Sequence, residues 1–213
     1  MKPTFPALCA DSNCGTIFDV DDKLAYRRIS CPDCGAAGPA IPARIRQQLL
    51  AKNEQARVPD LPHDAFVAIV EDLRSINNVG SIFRTCDAMA VDLIVLCGIT
   101  ATPLQPKLAR TALGAERSVP WVWRRDAATA IGELRRFGLT AVALEHSPSA
   151  VSPATSAINL PLMLIVGNEV AGVSSPALDL SDHHLEIPMR GVKSSLNAAV
   201  AFGMVAWEVV RES

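Results

Sequence analysis

Short apolar runs alternate with helical patterns through residues 63–213, and this alternation limits the possible folds more than any other feature of the sequence. Such a pattern favours a mainly parallel sheet with helices on both faces, so we predict an α/β fold for this domain. The predicted helices are Ser81–Ala90, Ala127–Phe137 and Ser194–Val210. The predicted strands are Phe66–Val70, Leu93–Cys97, Val119–Trp123, Thr140–Leu144, Leu162–Val166 and His184–Ile187.

The composition excludes an intrinsically disordered chain, because 49% of the 213 residues are apolar and 20% are charged. The longest uncharged stretch, Ser147–Asn168, contains three prolines, and only Pro161–Gly167 is solidly apolar. We therefore predict a core strand there and not a membrane helix. No secretory signal is visible near Lys2, so we expect a cytoplasmic protein that makes no membrane contact.

The net charge of −2 does not indicate a polybasic nucleic-acid-binding protein. However, 15 of the 20 basic residues are arginines, and several of them are adjacent. A guanidinium binds phosphate oxygens bidentately, whereas a lysine offers a point charge. Two interpretations stay open for the adjacent arginines: they contact phosphate, or they are solvated at the surface. The pairs are Arg27–Arg28, Arg124–Arg125 and Arg135–Arg136.

Four cysteines lie within the first 34 residues, with the spacing C-x4-C-x16-C-x2-C. They are Cys9, Cys14, Cys31 and Cys34. Two thiolates on a tight turn bind one tetrahedral ion from the same side, and a second pair completes the site. We predict a zinc ribbon with short strands at residues 16–18 and 25–29. Two disulfides are the alternative, although the lack of a secretory signal does not favour an oxidising compartment.

The composition changes after the ribbon and divides the chain into three predicted segments. Residues 1–38 form the zinc-ribbon-like domain, residues 39–62 form a linker, and residues 63–213 form the α/β domain. Pro42 is suited to begin a short linker helix that continues to about Arg57. The other two cysteines, Cys86 and Cys97, lie in apolar patterns and are predicted to be buried thiols.

The α/β domain lacks the common glycine-rich fingerprints: G-x-G-x-x-G, the Walker A motif and G-x-S-x-G. Nicotinamide-type Rossmann enzymes, P-loop nucleotidases and α/β-hydrolases are therefore disfavoured. Three other segments carry the polar residues that suggest a function.

The first segment, residues 77–84, has the sequence NNVGSIFR. Asn-x-Gly-Ser predicts a turn that leads into a helix capped by Ser81. On that helix Ile82, Phe83 and Cys86 share an apolar face, and Arg84 projects roughly opposite. An arginine in this place is by itself more typical of a solvated residue than of a catalyst.

The second segment, residues 164–172, has the sequence LIVGNEVAG, in which a buried strand leads into a glycine turn that presents Asn168 and Glu169. Ligands bind at strand ends in open α/β sheets. The third segment, residues 187–201, has the sequence IPMRGVKSSLNAAVA. Here Ser194 or Ser195 is predicted to cap a helix whose first turn carries Asn197, with N–H groups free for a polar ligand atom. That helix is apolar nearly all round, which places it in the core or against another subunit.

In their order and spacing these segments resemble the three motifs of the SpoU/TrmH branch of the SPOUT superfamily. The resemblance covers about Asp64 to Glu212. Members are RNA 2′-O-ribose methyltransferases that use S-adenosylmethionine (AdoMet). The resemblance implies a Rossmann-like sheet with a C-terminal trefoil knot, a homodimer, and transfer RNA or ribosomal RNA as substrate.

The resemblance also implies a role for individual residues. The active-site positions of the family fall on Asn78, Arg84, Glu169, Ser195 and Asn197. The positions that contact AdoMet fall on Leu144, Gly167, Ile187 and Leu196. Two departures occur around the Ser-Leu-Asn of the third motif: Ala198-Ala199 follow it where Val-Ser is frequent, and Lys193-Ser194 precede it. Neither departure removes a reactive group.

Two other functions stay open at this point. The chain could be a zinc-ribbon adaptor for RNA or protein whose α/β domain has lost the reaction. It could also be a SPOUT enzyme that methylates a base or a protein. The presence of Asn78, Arg84, Glu169 and Asn197 argues against the adaptor, and the first motif favours ribose as the acceptor.

Overall fold

A computed structural model of the protein describes residues 3–9, 14, 16–25, 27–43, 56–156 and 158–211. The chain divides into two compact units, Met1–Arg57 and Val58–Ser213. The predicted domain boundaries at residues 38 and 62 stay predictions.

The first unit contains two antiparallel strand pairs. Strand β1 (Thr4–Leu8) pairs with β2 (Ile17–Asp21), and β3 (Arg28–Ser30) pairs with β4 (Ala37–Pro39). A 3-10 helix at Asp22–Leu24 follows β2. The two strands predicted in the ribbon thus occur with shifted ends, and each pairs with a strand that was not predicted. A small core stabilises the unit, formed by Ala7, Val20 and Ala40 with Phe5, Phe18 and Ile29 packed against it.

The predicted linker helix cannot be placed. Pro42 forms an isolated antiparallel bridge with Ala7, and residues 44–55 lie outside the described residues.

The second unit is built on a six-stranded sheet in which every neighbouring pair is parallel, in the order β10-β8-β9-β5-β6-β7. The α/β prediction is confirmed, and each predicted strand is present. Three have shifted ends, where Phe66–Val70, Val119–Trp123 and His184–Ile187 were predicted. The strands are β5 (Phe66–Glu71), β6 (Leu93–Cys97), β7 (Trp121–Arg124), β8 (Thr140–Leu144), β9 (Leu162–Val166) and β10 (His183–Leu185).

Helices connect these strands, and all residues of β5, β6 and β9 are buried. A buried, apolar parallel sheet needs such helices on its faces. The trefoil knot stays an expectation from the resemblance. The helices are α1 (Ile76–Ala88), α2 (Pro106–Ala112), α3 (Ala115–Ser118), α4 (Ala127–Leu134), α5 (Ser175–Asp179) and α6 (Ala198–Arg211), with 3-10 turns at Arg135–Phe137 and Pro153–Thr155.

Helix α1 begins five residues earlier than predicted, so the prediction of a turn ending in a Ser81 cap is wrong. Ser75 is the N-cap, and its side chain accepts a hydrogen bond from the backbone N–H of Asn78. Gly80 lies inside α1 and is not a turn residue. A Cβ atom on Gly80 would lie 2.1 Å from Oγ1 and 2.8 Å from the carbonyl carbon of Thr111, so glycine permits α1 to approach α2.

Helix α6 begins at Ala198, so the prediction that Ser194 or Ser195 caps it is also wrong. The Oδ1 atom of Asn197 accepts hydrogen bonds from the N–H groups of Ala199 (2.9 Å) and Val200 (3.2 Å). The N–H groups predicted to be free for a ligand are therefore bound to the side chain of Asn197 itself.

Helix α6 buries one face and exposes an apolar stripe on the other. The buried residues are Ala199, Phe202, Val205, Ala206 and Val209. The exposed residues are Val200, Met204 and Trp207, which are 51%, 48% and 55% exposed. The helix is therefore not enclosed by the core of its own unit. Among the described residues, no helix has the length and hydropathy to cross a membrane.

Candidate active site

A cleft of about 310 Å³ lies where strands β8, β9 and β10 end. All four residues that the resemblance assigned to AdoMet line it: Leu144, Gly167, Ile187 and Leu196. Of the predicted active-site residues, Glu169 and Ser195 line the cleft as well. Because β8, β9 and β10 are parallel, their carboxyl ends lie at the same edge of the sheet, where open α/β sheets bind ligands.

One wall of the cleft is formed by two backbone segments that lie in close contact with each other. Asn168 and Gly172 exchange two backbone hydrogen bonds, of 3.0 and 2.9 Å. A Cβ atom on Gly167 would lie 2.3 Å from the carbonyl carbon of Gly172. Gly172 itself has φ +71°, and a Cβ atom there would lie 2.0 Å from Oε2 of Glu145. Both glycines are thus required by the geometry of this turn.

The side chain of Asn168 holds the turn in place from inside. Its Nδ2 donates to the carbonyl oxygen of Asp72 at 2.7 Å, and its Oδ1 accepts from the N–H groups of Val170 and Ala171. The turn after β9 is therefore tied to the end of β5, and the next residue, Glu169, is held in a defined position.

The carboxylate of Glu169 accepts three hydrogen bonds from the segment that begins α1. The backbone N–H groups of Arg74 and Ser75 and the Nδ2 of Asn78 each donate to it at 3.0 Å. Partial burial disfavours the charged form, but these donors outweigh it and hold the pKa of Glu169 below its ordinary value. Glu169 is thus ionised at neutral pH and acts as a hydrogen-bond acceptor.

Asn78 links Glu169 to the start of α6. While its Nδ2 donates to Glu169, its Oδ1 accepts from Nδ2 of Asn197 at 2.9 Å. The chain Glu169–Asn78–Asn197, which we call the polar relay, therefore joins one residue from each of the three motifs. Ser195 lies two residues before the relay's last member, exposed in the loop that lines the cleft.

Arg84 stands apart from the polar relay. It is on the exposed face of α1, six residues after Asn78, which corresponds to about 9 Å along a helix axis. The opposite face of α1 buries Val79, Ile82 and Phe83. Among the described residues none forms an ion pair or hydrogen bond with the Arg84 guanidinium. The structure thus presents this cation to solvent.

Sequence reasoning missed two carboxylates that hold the loop after the cleft turn. Glu145 accepts from the N–H of Val173 at 2.7 Å, and it also lines the cleft. Glu71 is 3% exposed and accepts from both the N–H (2.9 Å) and the hydroxyl (2.8 Å) of Ser174. Each follows or ends a buried strand, and a charged residue directly at the end of an apolar run is the signal that could have found them.

In the first unit, the four cysteines form a compact cluster. Their sulfur atoms all lie within 4.8 Å of one another, and all four are free thiols. The Sγ separation is 3.5 Å for Cys9 and Cys34, and 3.9 Å for Cys14 and Cys31. Tetrahedral zinc with bonds of about 2.3 Å requires sulfur separations of about 3.8 Å, so the cluster fits such an ion. Hydrogen bonds with Thr16 lower the pKa of the Cys14 thiol to about 7.

The arrangement of the second unit agrees with a sequence comparison. The profile of the SpoU rRNA Methylase family matches residues 65–207. The chain belongs to the SpoU rRNA Methylase family. Its resemblance to that family is confirmed, and the matched region contains the cleft, the polar relay and Arg84.

Individual relatives support this assignment. The chain is 34% identical over 146 residues to a Staphylococcus haemolyticus protein assigned to the TrmH family of tRNA/rRNA methyltransferases. This match covers 68% of the chain and 58% of that relative. The chain thus spans less than two thirds of the length of the relative.

Solved structures of similar proteins have the same fold. AviRb, a SpoU methyltransferase from Streptomyces viridochromogenes in complex with AdoMet, superimposes with a TM-score of 0.65 at 28% identity, over 83% of this chain and 64% of AviRb. A protein described in terms of 2-OH methylation of C/U34 on tRNA superimposes with a TM-score of 0.62 at 25% identity. That match covers 71% of this chain and 97% of the other.

Proposed function

We propose that the protein transfers a methyl group from AdoMet to a ribose 2′-hydroxyl of a structured RNA, either transfer RNA or ribosomal RNA. The observation that carries this proposal is the polar relay, which brings the three motifs together at the edge of one cleft. The AdoMet complex of AviRb supports the methyl donor, and the relative that concerns 2-OH methylation supports the acceptor.

The size and the lining of the cleft support AdoMet as its ligand. Its volume of about 310 Å³ is at the lower end of small-molecule sites, which span about 300–1,000 Å³. The chain offers backbone groups at Gly167 and Ile187 and apolar side chains at Leu144 and Leu196. AdoMet supplies an activated methyl group when it is bound, so the protein's task is to align the acceptor oxygen and to help remove its proton.

We assign Arg84 an electrostatic and orienting role toward the RNA. A guanidinium stays protonated at neutral pH, so it cannot serve as a general base. A solvent-facing guanidinium is well suited to hold an RNA phosphate and to stabilise the developing alkoxide. An RNA phosphate would then accept the proton of the 2′-hydroxyl. The same hydroxyl distinguishes RNA from DNA.

The polar relay would position the reaction centre. Glu169 is ionised and already accepts three hydrogen bonds, so we assign it an anchoring role toward the start of α1. Asn78 and Asn197 fix the relative positions of α1 and α6. Ser195, exposed in the cleft loop, would contact the bound ligands.

The first unit would be a structural zinc site that assists RNA binding. The exposed side chains of Arg27 and Arg28 are suited to phosphate oxygens. The adjacent Tyr26 lies outside the described residues. We also propose a homodimer in which the apolar stripe of α6 is covered by a second copy, because exposed apolar patches normally mark interfaces.

Mass spectrometry of digested product RNA tests the proposed function. Protein is incubated with labelled AdoMet and RNA from a strain that lacks it, and the RNA is digested to nucleosides. We expect label in ribose-methylated nucleosides, whose position in the RNA then identifies the substrate. Label in a methylated base, or in protein, would contradict the proposal. Absence of AdoMet binding in calorimetry would favour the adaptor instead.

A further inference from the structure

The basic side chains of the second unit fall into two groups. Within residues 58–156 and 158–211, six form ion pairs with carboxylates: Arg117, Arg124, Arg125, Arg135, Arg136 and Arg211. The other six have no carboxylate partner in this part of the chain: Arg74, Arg84, Lys107, Arg110, Arg190 and Lys193. All six are exposed.

The unpaired cations are not spread evenly over the surface. Arg74 donates its backbone N–H to Glu169, so it lies directly at the polar relay. Arg190 and Lys193 lie in the loop between the cleft residues Ile187 and Leu196. Lys107 and Arg110 lie on α2, which has no part in the three motifs.

Contacts between α1 and α2 bring the α2 cations to the same region. Thr111 Oγ1 donates to the carbonyl oxygen of Ile76 at 3.3 Å, and Gly80 approaches Thr111 closely. Lys107 lies one helical turn before Thr111, so both residues are on the same side of α2. This part of α2 therefore lies beside the first turn of α1, the turn that carries Asn78.

The carboxylates that lie nearest in the sequence form no ion pair with these cations in the described part of the chain. Asp87, one turn after Arg84 on α1, accepts a hydrogen bond from the Ser118 hydroxyl of α3. The next carboxylate, Glu116, is 8% exposed and binds Gly114 N–H and Arg117. Arg84, Lys107 and Arg110 thus face solvent, and none of them forms an ion pair with a described carboxylate.

We propose that Lys107 and Arg110, which we call the α2 basic face, together with Arg74 bind phosphates of the RNA backbone next to the target nucleotide. This inference rests on the proposed RNA substrate and extends it from the catalytic arginine to a surface outside the three motifs. Unpaired cations beside a reaction centre match a polyanion, because each phosphate contact releases a condensed counterion.

Salt-dependent RNA binding tests the α2 basic face. The full-length double variant Lys107→Gln/Arg110→Gln is compared with Arg125→Gln/Arg136→Gln, which removes the same charge from ion-paired arginines. Binding of unfractionated transfer RNA is measured by fluorescence anisotropy from about 50 to 200 mM KCl. Backbone contacts do not depend on sequence, so this probe serves even if another RNA is the substrate.

The α2 variant should bind RNA roughly tenfold more weakly, with a salt slope smaller by about one for each cation removed. The control should keep the slope of the wild type, and AdoMet affinity should be equal in all three proteins. Lys107→Arg/Arg110→Lys should retain the slope.

If RNA affinity depends on salt equally in the α2 variant and the control, the inference is wrong. It is also wrong if RNA binding by the wild-type protein does not depend on salt. The nucleoside digest reports separately on the proposed function. If the digest shows base methylation and the α2 variant still has a smaller salt slope than the wild type, the proposed acceptor is wrong and the assignment of the RNA-binding surface stands.

Discussion

The Nδ2 of Asn197 donates to the Oδ1 of Asn78 at 2.9 Å, although the two residues are 119 positions apart in the sequence. Asn197 caps α6 with its Oδ1, and Asn78 lies in the first turn of α1. A single amide side chain thus caps the start of one helix and contacts the start of another. Both helix starts are thereby fixed relative to Glu169, which gives the three motifs a common physical function.

Replacement of Arg84 by alanine should abolish most turnover and leave AdoMet affinity nearly unchanged. Loss of a charge that acts chiefly on the transition state costs on the order of 3–4 kcal/mol, or about 10²–10³ in rate. Arg84→Lys should recover part of this loss, because an ammonium cannot replace a bidentate guanidinium. Single-turnover methylation beside calorimetry measures both quantities. Normal turnover would remove Arg84 from the reaction, and an equal loss of AdoMet binding would assign it to the cleft.

Replacement of Gly80 by alanine should destabilise the second unit by about 1–3 kcal/mol, because the new methyl group overlaps the side chain and backbone of Thr111. Gly132 in α4 is the matched control. A Cβ atom there meets nothing within 4 Å, so Gly132→Ala should be neutral or stabilise by up to about 1 kcal/mol. Denaturant unfolding measures both variants. Equal stability of the two would mean that α1 and α2 are less closely packed than described.

Replacement of Glu71 by glutamine should change how stability depends on pH. Burial raises the pKa of Glu71, although hydrogen bonds from Ser174 and Ala127 act in the opposite direction. A carboxyl group with a raised folded-state pKa stabilises the fold at acid pH, and this contribution is lost as the pH rises through that pKa. The free energy of unfolding of Glu71→Gln relative to wild type should therefore increase from about pH 4.3 upward. A difference independent of pH would contradict the prediction.

Purified protein should contain one zinc ion per chain. Cys31→Ser should lose most of it, because a neutral hydroxyl replaces a thiolate ligand. Cys97→Ala is the control, since Cys97 is buried in β6, outside the cysteine cluster, and this variant should keep its zinc. Elemental analysis gives the metal content. Intact disulfides between these cysteines in the native protein would show that the site is not a metal centre.

Replacement of Trp207 by glutamate should shift the protein toward a monomer at micromolar concentration, because a charge is placed in the exposed apolar stripe of α6. Leu180→Glu, an equivalent change at a residue that is 39% exposed outside α6, should leave the assembly state unchanged. Sedimentation of both variants and of the wild type decides this. A wild-type monomer would refute the proposed dimer.

The sequence was sufficient to predict the strands, since a buried parallel strand is a short apolar run with clear ends. Leu93–Cys97, Thr140–Leu144 and Leu162–Val166 have the predicted bounds. The strand β5 is one residue longer than predicted. Errors of one or two residues occur at the ends of β7 and β10, which are the outer strands of the sheet. The pairing partners β1 and β4 of the ribbon were missed because each contains a proline, which argues against a strand in a sequence pattern.

The starts of the helices were beyond sequence reasoning for a physical reason. Gly80 and Ser81 have the local pattern of a turn and cap, but Thr111, 31 positions away from Gly80, requires a glycine inside the helix. At α6, Ser194, Ser195 and Asn197 are all competent caps, and the bond to Asn78 explains why Asn197 serves. Local propensity cannot resolve alternatives that a distant contact decides.

The wall formed by Gly167 and Gly172 has a consequence for engineering. A pocket bounded by side chains can be widened by trimming them, but here the boundary is main chain in contact with main chain. Any attempt to admit a bulkier methyl-donor analogue must therefore work on lining residues that carry side chains, such as Leu144 and Met189. For the same reason, the shape of this wall can persist while the sequence around it diverges, provided that the two glycines stay.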